Sequence, residues 1–181
     1  MPLTLLHPAY ALAAKLLAPR LSLPLLAAGS VVSDLDQVFA FLTGFEHRRL
    51  VLHSVFGAVI IVPLLALLLV WLAARVLPRL GVPGFDTPRL SLLAYVSAAI
   101  GGLTHVLVDG LYHAENPLLW PLVANVDSPL YPLFGRVLYP LFDVLSLVLL
   151  LTLLRHALRK QGYGLWLLAR EPKKAIAVLF S

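Results

Sequence analysis

Cysteine is absent from this chain of 181 residues, and charged residues are scarce. Without thiols the chain can form neither disulfides nor thiolate metal sites, so any metal ion must be held by histidine, aspartate and glutamate. Charged residues make up 13% of the chain, about half the share usual in soluble domains. Hydrophobic residues make up 60% and lie in long runs. This pattern is typical of an integral membrane protein, and the lipid bilayer is its expected partner.

Two further absences narrow the function. The net charge of +5 is not gathered into a basic stripe with interleaved aromatic residues, so nucleic-acid binding is not expected. No His-Glu-x-x-His motif occurs, which disfavours a metalloprotease of that type.

Three apolar runs are long enough to cross a bilayer as helices, which takes about 20 residues. They are Val55–Leu77, Leu90–Val108 and Val137–Leu154. Two shorter runs precede them, and these form either a helical hairpin or a pair whose second member continues through Phe45 with its acidic residues facing the bundle interior. These shorter runs are Leu3–Ala18 and Leu21–Val32.

The predicted fold is an all-α integral membrane bundle. It has three strong transmembrane helices, a short N-terminal helical pair and an interfacial loop at 110–136, where prolines and aromatic residues are dense. No internal repeat or linker divides the chain, so residues 1–181 are expected to form one domain, with 162–181 as a peripheral basic tail.

The polar residues that could bind a metal fall at particular segment ends. In an up-and-down bundle these ends meet at one membrane face. The residues are His7 at the start of the first segment, Asp34 and Asp36 at the end of the second, His47 and His53 before the third, and His105 and Asp109 at the end of the fourth.

His105 and Asp109 form the most informative pair. Residues four apart lie on one face of a helix, and a carboxylate in the middle of a bilayer costs about 2.5–3.5 kcal/mol. The pair is either a metal-binding element or a hydrogen bond that ties two helices together. Several imidazoles with several carboxylates are a set typical of zinc-type ions, which lower the pKa of bound water and polarise a phosphoryl or carbonyl oxygen.

The order of these motifs resembles the membrane-bound metal-dependent hydrolase family typified by YdjM. Ser33 stands where that family has proline, and the spacing from His47 to His53 is one residue longer than the family form. The matching elements are His7, Ser33-Asp34-Leu35-Asp36, His47-Arg48 with His53-Ser54, His105 with Asp109, and Leu119-Trp120-Pro121.

The resemblance implies a membrane hydrolase that uses a divalent metal, with zinc expected. The family is also distantly similar to zinc-dependent phospholipases C and single-strand nucleases, which implies phosphoester hydrolysis, with a phospholipid-like substrate. The expected metal ligands are His7, Asp36, His53, His105 and Asp109, and the expected catalytic residues are Asp34, His47 and Arg48.

Several alternatives stay open at this stage. Asp34 and His47 are each either a ligand or a residue that orients a ligand. Arg48 either binds a phosphate oxygen or anchors the chain at the interface. His113 and Glu115 are possible further members of the site.

A non-catalytic protein that binds metal or haem is the alternative function. The protein is expected in the inner or plasma membrane. Basic residues cluster at the segment ends opposite the metal candidates, so the positive-inside rule predicts a metal face outside the cytoplasm. These basic residues include Arg75, Arg79, Arg89, Arg155, Arg159 and Lys160.

Overall fold

The computed structural model describes residues 6–44, 51–82, 88–123 and 127–180. Regular structure in these ranges is helical, apart from an isolated antiparallel bridge between Glu115 and Asp127. The helices are α1 (Pro8–Leu17), α2 (Leu23–Val32), α3 (Leu35–Thr43), α4 (Val55–Val76), α5 (Leu92–Tyr112), α6 (Tyr131–Lys160), α7 (Trp166–Arg170) and α8 (Pro172–Phe180), with 3₁₀ turns at Val51–His53 and Leu77–Leu80.

Three stretches of the described residues are long and apolar enough to cross a membrane: Leu23–Thr43, Val55–Leu80 and Leu92–Leu111. The predicted fold class, an all-helical membrane bundle with three such helices, is therefore confirmed. The last two stretches coincide with predicted spans, whereas the first joins α2 and α3 across a short turn. The predicted span Val137–Leu154 lies inside the 30-residue helix α6.

The N-terminal helices pack as a pair, and α1 also contacts α6. The Tyr10 and Ser146 hydroxyl oxygens lie 2.7 Å apart and join α1 to α6 by a hydrogen bond. At the end of α1 the Lys15 ammonium donates to the carbonyls of Pro19 and Leu21, at 2.7 and 2.8 Å. These bonds satisfy carbonyl groups in the turn between α1 and α2 and so fix that turn.

Helices α2 and α5 approach so closely that their contact requires glycine. A Cβ added at Gly29 would lie 2.2 Å from the carbonyl oxygen of Ala98, and one added at Gly101 would lie 2.2 Å from that of Leu26. Small residues of this kind let the backbones of membrane helices come together. On its other side α5 packs against α4, where Gly102 faces Ala58.

A serine begins α4 and fixes the residue before it. The Ser54 hydroxyl oxygen accepts the N–H of Gly57 at 2.9 Å, an N-cap, and donates to the Val51 carbonyl at 2.7 Å. His53 lies between these contacts, in the 3₁₀ turn Val51–His53. The cap therefore holds His53 at the start of a span-length helix.

The loop after α5 is ordered by buried polar contacts. The Asn116 amide donates to the Val106 carbonyl at 3.1 Å, and the Ser128 hydroxyl donates to the Gly110 carbonyl at 2.6 Å. The N–H of Val55 donates to the carbonyl of Leu118 at 2.9 Å. This loop therefore connects the end of α5 with the start of α4, which is the end where His53 lies.

The C-terminal helices lie near the opposite end of α4. Leu158, Leu167 and Ala175 form a buried cluster that joins α6, α7 and α8. The Lys173 ammonium donates to the Leu80 carbonyl at 2.8 Å, so α8 reaches the turn that follows α4. Helix α4 has 22 residues and is about 33 Å long, which separates this basic end from His53. The assignment of residues 1–181 to one domain stays a prediction.

Candidate metal centre

Six ionisable side chains that the sequence singled out are buried in one part of the bundle. Their elements are the start of α1, the junction of α2 and α3, the turn before α4, and the last third of α5. The relative exposures of the residues are at most 8%: His7 3%, Asp34 8%, Asp36 8%, His53 0%, His105 0% and Asp109 1%.

Four donor atoms form the centre of this cluster. The Nε2 atoms of His53 and His105 lie 3.4 Å apart. Asp34 Oδ1 lies 3.7 Å from each of these nitrogens. Asp109 Oδ2 lies 3.5 Å from His53 Nε2 and 3.8 Å from His105 Nε2. Each of the two carboxylate oxygens thus lies within 3.8 Å of both imidazole nitrogens.

These separations fit a divalent ion. Zinc binds nitrogen and oxygen at about 2.0–2.2 Å with tetrahedral geometry, and the edges of such a tetrahedron are about 3.3–3.6 Å. The nitrogen–nitrogen distance and the four nitrogen–oxygen distances run from 3.4 to 3.8 Å. The set is therefore close to the size that a bound ion requires, and it could hold one.

The imidazole of His105 is oriented by the backbone of α2. Its Nδ1 lies 2.6 Å from the carbonyl oxygen of Ser30, which can only accept a hydrogen bond. Nδ1 must therefore carry the proton, and in the neutral ring Nε2 keeps its lone pair for the cluster. The close approach of α2 and α5 at Gly29 makes this contact possible.

The imidazole of His53 is oriented by Asp36. Its Nδ1 lies 3.4 Å from Asp36 Oδ2, and the same oxygen accepts the N–H of Leu52 at 2.9 Å. Asp36 therefore contacts the outer nitrogen of His53, whereas Asp34 contacts the inner one. A carboxylate behind a ligand imidazole is a common arrangement in metal sites.

The charge state of His53 follows from its neighbours. Burial lowers the pKa of His53, but contacts with the carboxylates of Asp109, Asp34 and Asp36 raise it by a larger amount. The net effect is a pKa raised to about 10. Without a cation in the cluster, the imidazole is protonated at neutral pH. The carboxylates thus create a site that favours positive charge.

Asp109 connects this set to His7. Its Oδ1 lies 3.4 Å from His7 Nε2, while its Oδ2 faces His53 and His105. The rings of His7 and His105 are stacked, with centroids 3.9 Å apart. His7, His105 and Asp109 form a second group of donor atoms within 4.8 Å of one another, beside the group of Asp34, His53 and His105. His105 belongs to both groups.

An open cavity of about 420 Å³ leads to Asp34. Its walls come from the end of α2 and from α3. Gln37, in this wall, donates from its side-chain amide to Asp34 Oδ1. The lining residues are Val31, Asp34, Leu35, Gln37, Val38 and Phe41.

The structure brings together His7, Asp34, Asp36, His53, His105 and Asp109. His47 and Arg48 lie outside the described residues. His113 and Glu115 belong to neither donor group within the described part of the chain. His113 instead donates its backbone N–H to the Asp109 carbonyl at 2.9 Å, just after α5, and Glu115 is exposed.

Sequence reasoning missed Ser30 and Gln37. Ser30 acts through its carbonyl group, which every residue possesses, so no sequence signal could have identified it. Gln37 lies one helical turn after Asp34, and this spacing of three residues was a signal that could have been used.

A family model described as YdjM inner membrane protein matches residues 5–179, which is nearly the whole chain. No curated protein and no solved structure matches the chain.

Proposed function

Because the chain belongs to the YdjM inner membrane protein family, and because its buried histidines and aspartates form a metal-sized set, we propose that it is a membrane-embedded, metal-dependent hydrolase of phosphoesters. The expected ion is zinc, and the expected substrates are phospholipid-like. The protein itself is an integral membrane protein with three span-length helices among its described residues.

The observation that carries this proposal is the pair of facing imidazole nitrogens, with a carboxylate oxygen of Asp34 and one of Asp109 each within 3.8 Å of both. His53 and His105 each have Nδ1 engaged by an outer acceptor, so both present Nε2 inwards. Without a cation, the proton on the inner nitrogen of His53 lies among His105 Nε2 and the two carboxylates, and a divalent cation would take the place of that proton. A cation shared by the two rings would also neutralise the two carboxylates.

We assign Asp34, His53 and His105 as the three protein ligands of one ion. A catalytic zinc keeps one position for water, and such an ion lowers the pKa of bound water to about 7. Asp109 Oδ2 would lie beside such an ion, because it is 3.5 Å from His53 Nε2 and 3.8 Å from His105 Nε2. Its other oxygen is held by His7, and Asp109 would be the group that accepts a proton from the attacking water.

This assignment exchanges the roles expected for the acidic pair. Asp34, expected to be catalytic, becomes a ligand because it faces both Nε2 atoms. Asp36, expected to be a ligand, becomes the residue that orients His53. His7 becomes the partner of Asp109. The roles of His47 as a base or ligand and of Arg48 as a phosphate-binding residue stay predictions.

The donor set also favours a small ion over haem. Haem with two axial histidines has its plane between the two nitrogens, and carboxylates are not its usual companions. Here the two nitrogens are accompanied by two carboxylates, within a cluster where both histidines are fully buried. Hard or borderline divalent ions prefer such mixed nitrogen and oxygen ligands.

The test compares the zinc-loaded protein with an Asp109→Asn variant in detergent. We expect the wild type to hydrolyse bis(4-nitrophenyl) phosphate, a water-soluble phosphodiester, and Asp109→Asn to lose this activity while keeping its melting temperature within a few degrees. Glu115→Gln is the matched control, because Glu115 is an exposed acidic residue outside the donor groups.

Two outcomes would contradict the proposal. Zinc binding without hydrolysis of any phosphoester would make this a non-catalytic metal-binding protein. Equal activity in the wild type and in Asp109→Asn would show that the cluster does not perform the reaction.

A further inference from the structure

An apolar groove lies between α4 and the end of α2. One wall is a stripe of four leucines of α4 at positions 65, 68, 69 and 72, which share a helix face and extend over about 10 Å. Leu68, Leu69 and Leu72 are 44–52% exposed. The other wall is the end of α2 with Leu35, and the cavity between the walls is about 360 Å³.

This groove adjoins the cavity that leads to Asp34. Val31 and Leu35 line both, so the two form one path along the junction of α2 and α3. The end near α4 is lined by valines and leucines alone, and the other end reaches the Asp34 carboxylate and the Gln37 amide. The path therefore changes from apolar to polar over its length.

Such a gradient matches an amphiphile. A polar metabolite gains nothing from a wall of leucines, whereas an alkyl chain has a surface that fits it. A chain moving there from the bilayer gains little from the hydrophobic effect, because lipid tails are equally apolar. The preference for one lipid over the others must therefore come from the shape of the groove and from the head group bound at its polar end.

We propose that the substrate is a phosphoester with a long alkyl chain, bound with its chain against the α4 leucines and its phosphate at Asp34. This inference rests on the proposed function. A phosphate beside Asp34 and Asp109 would be repelled by their carboxylates unless a cation lies between them. Occupation of the groove by such a lipid therefore depends on zinc.

The experiment uses the full chain in phosphatidylcholine nanodiscs. The probe is hexadecyl phosphate with a photoreactive diazirine on its chain, and peptide mass spectrometry locates the crosslinks. With zinc we expect crosslinks concentrated on the α4 leucines and on Val31 and Leu35. After chelation with EDTA this concentration is lost, and labelling follows the exposure of each lipid-facing residue.

Two tryptophan variants test the location. Leu68→Trp places a large ring inside the groove, so the zinc-dependent crosslinks should disappear. Leu145→Trp is the control, because Leu145 is similarly exposed (57%, against 52% for Leu68) but lies on α6. Two results would overturn the inference. One is crosslinking spread evenly over the lipid-facing surface, and the other is crosslinking of the groove that Leu68→Trp does not reduce.

Hydrolysis of the soluble phosphodiester tests the proposed hydrolase function independently of the groove. Hydrolysis of bis(4-nitrophenyl) phosphate together with evenly spread crosslinks refutes the groove and leaves the hydrolase. Zinc-dependent crosslinks without hydrolysis of any phosphoester support the groove and refute the hydrolase.

Discussion

The Nε2 atoms of His53 and His105 lie 3.4 Å apart, although 52 residues separate them in the chain. One belongs to a 3₁₀ turn before α4 and the other to α5. Each ring is held from behind, His53 by the Asp36 carboxylate and His105 by the Ser30 carbonyl. The orientation of both rings is therefore fixed by contacts outside the cluster of inner donor atoms.

The neighbouring acids Asp34 and Asp36 should respond differently to the same substitution. Asp34→Asn replaces an oxygen that faces both Nε2 atoms, so we expect zinc binding to be lost. Asp36→Asn removes a charge behind His53, and loss of such an orienting residue costs about 10–100-fold in metal affinity. Competition with a zinc chelator measures both affinities. If Asp36→Asn is the more damaging change, the two roles are the other way round.

Zinc affinity should rise with pH. The pKa of His53 is raised to about 10 without an ion, so zinc must displace a proton from Nε2 at neutral pH. Release of one proton per ion raises the apparent affinity by about tenfold per pH unit. Chelator competition between pH 6.5 and 8 measures this dependence. An affinity that does not change over this range would contradict the protonated state.

The metal-free protein should show the opposite trend. The folded-state pKa of His53, about 10, is above the usual value of 6.5, so its contribution to folding is complete below pH 6.5 and is lost as pH rises towards 10. With EDTA present, the melting temperature of the wild type should therefore fall over this range. The fall should be smaller in His53→Asn.

Substitution of Gly29 should disrupt the centre from a distance. An added Cβ would meet the backbone of Ala98 at 2.2 Å, and α2 would have to move away from α5. Overpacking of this kind costs about 1–3 kcal/mol, and it moves the Ser30 carbonyl away from His105. Gly29→Ala should thus lose both thermal stability and zinc affinity.

Gly44→Ala is the control for this substitution. Gly44 has φ of 70°, so alanine is strained there, but an added Cβ meets nothing within 4 Å. This variant should lose about 1–2 kcal/mol of stability and keep its zinc affinity. Equal zinc affinity in Gly29→Ala and the wild type would show that the Ser30 carbonyl does not orient His105.

The metal face should lie outside the cytoplasm. Lys173 contacts the Leu80 carbonyl, so the basic C-terminal helices and the end of α4 share one side, which the positive-inside rule assigns to the cytoplasm. Because the chain has no cysteine, one introduced thiol reports one position. In intact cells Leu122→Cys, in the exposed loop near His53, should react with an impermeant maleimide, and Gln161→Cys should not. The reverse pattern would place the centre in the cytoplasm.

The helices were predictable because their signal is local. Long apolar runs identified α4 and α5, and the polar residues at their ends indicated one shared face. The continuation of α2 into α3 was left open, because the turn at Ser33 and Asp34 interrupts the apolar pattern without a proline or glycine. That turn decides which of Asp34 and Asp36 faces inwards, so their roles depended on geometry that composition does not contain.

A contact made by the backbone could not be predicted from the sequence either. Ser30 orients His105 with a carbonyl group, and that group is in reach because α2 and α5 are close at Gly29. Glycines 101 and 102 were visible in the sequence next to His105. Their contact with α2 depends on the way in which α2 and α5 cross. No pattern in a single sequence predicts that crossing.

The most direct test of the account is the zinc content of the purified protein, beside that of a His105→Asn variant. The asparagine amide can still donate to the Ser30 carbonyl but offers nothing in place of Nε2. We predict bound zinc and a raised melting temperature in the wild type, with a stabilisation of about 2.7 kcal/mol at a hundred times Kd, and neither effect in His105→Asn. A wild type that contains no zinc and gains no stability from it, or a variant that binds zinc equally well, would contradict the metal centre.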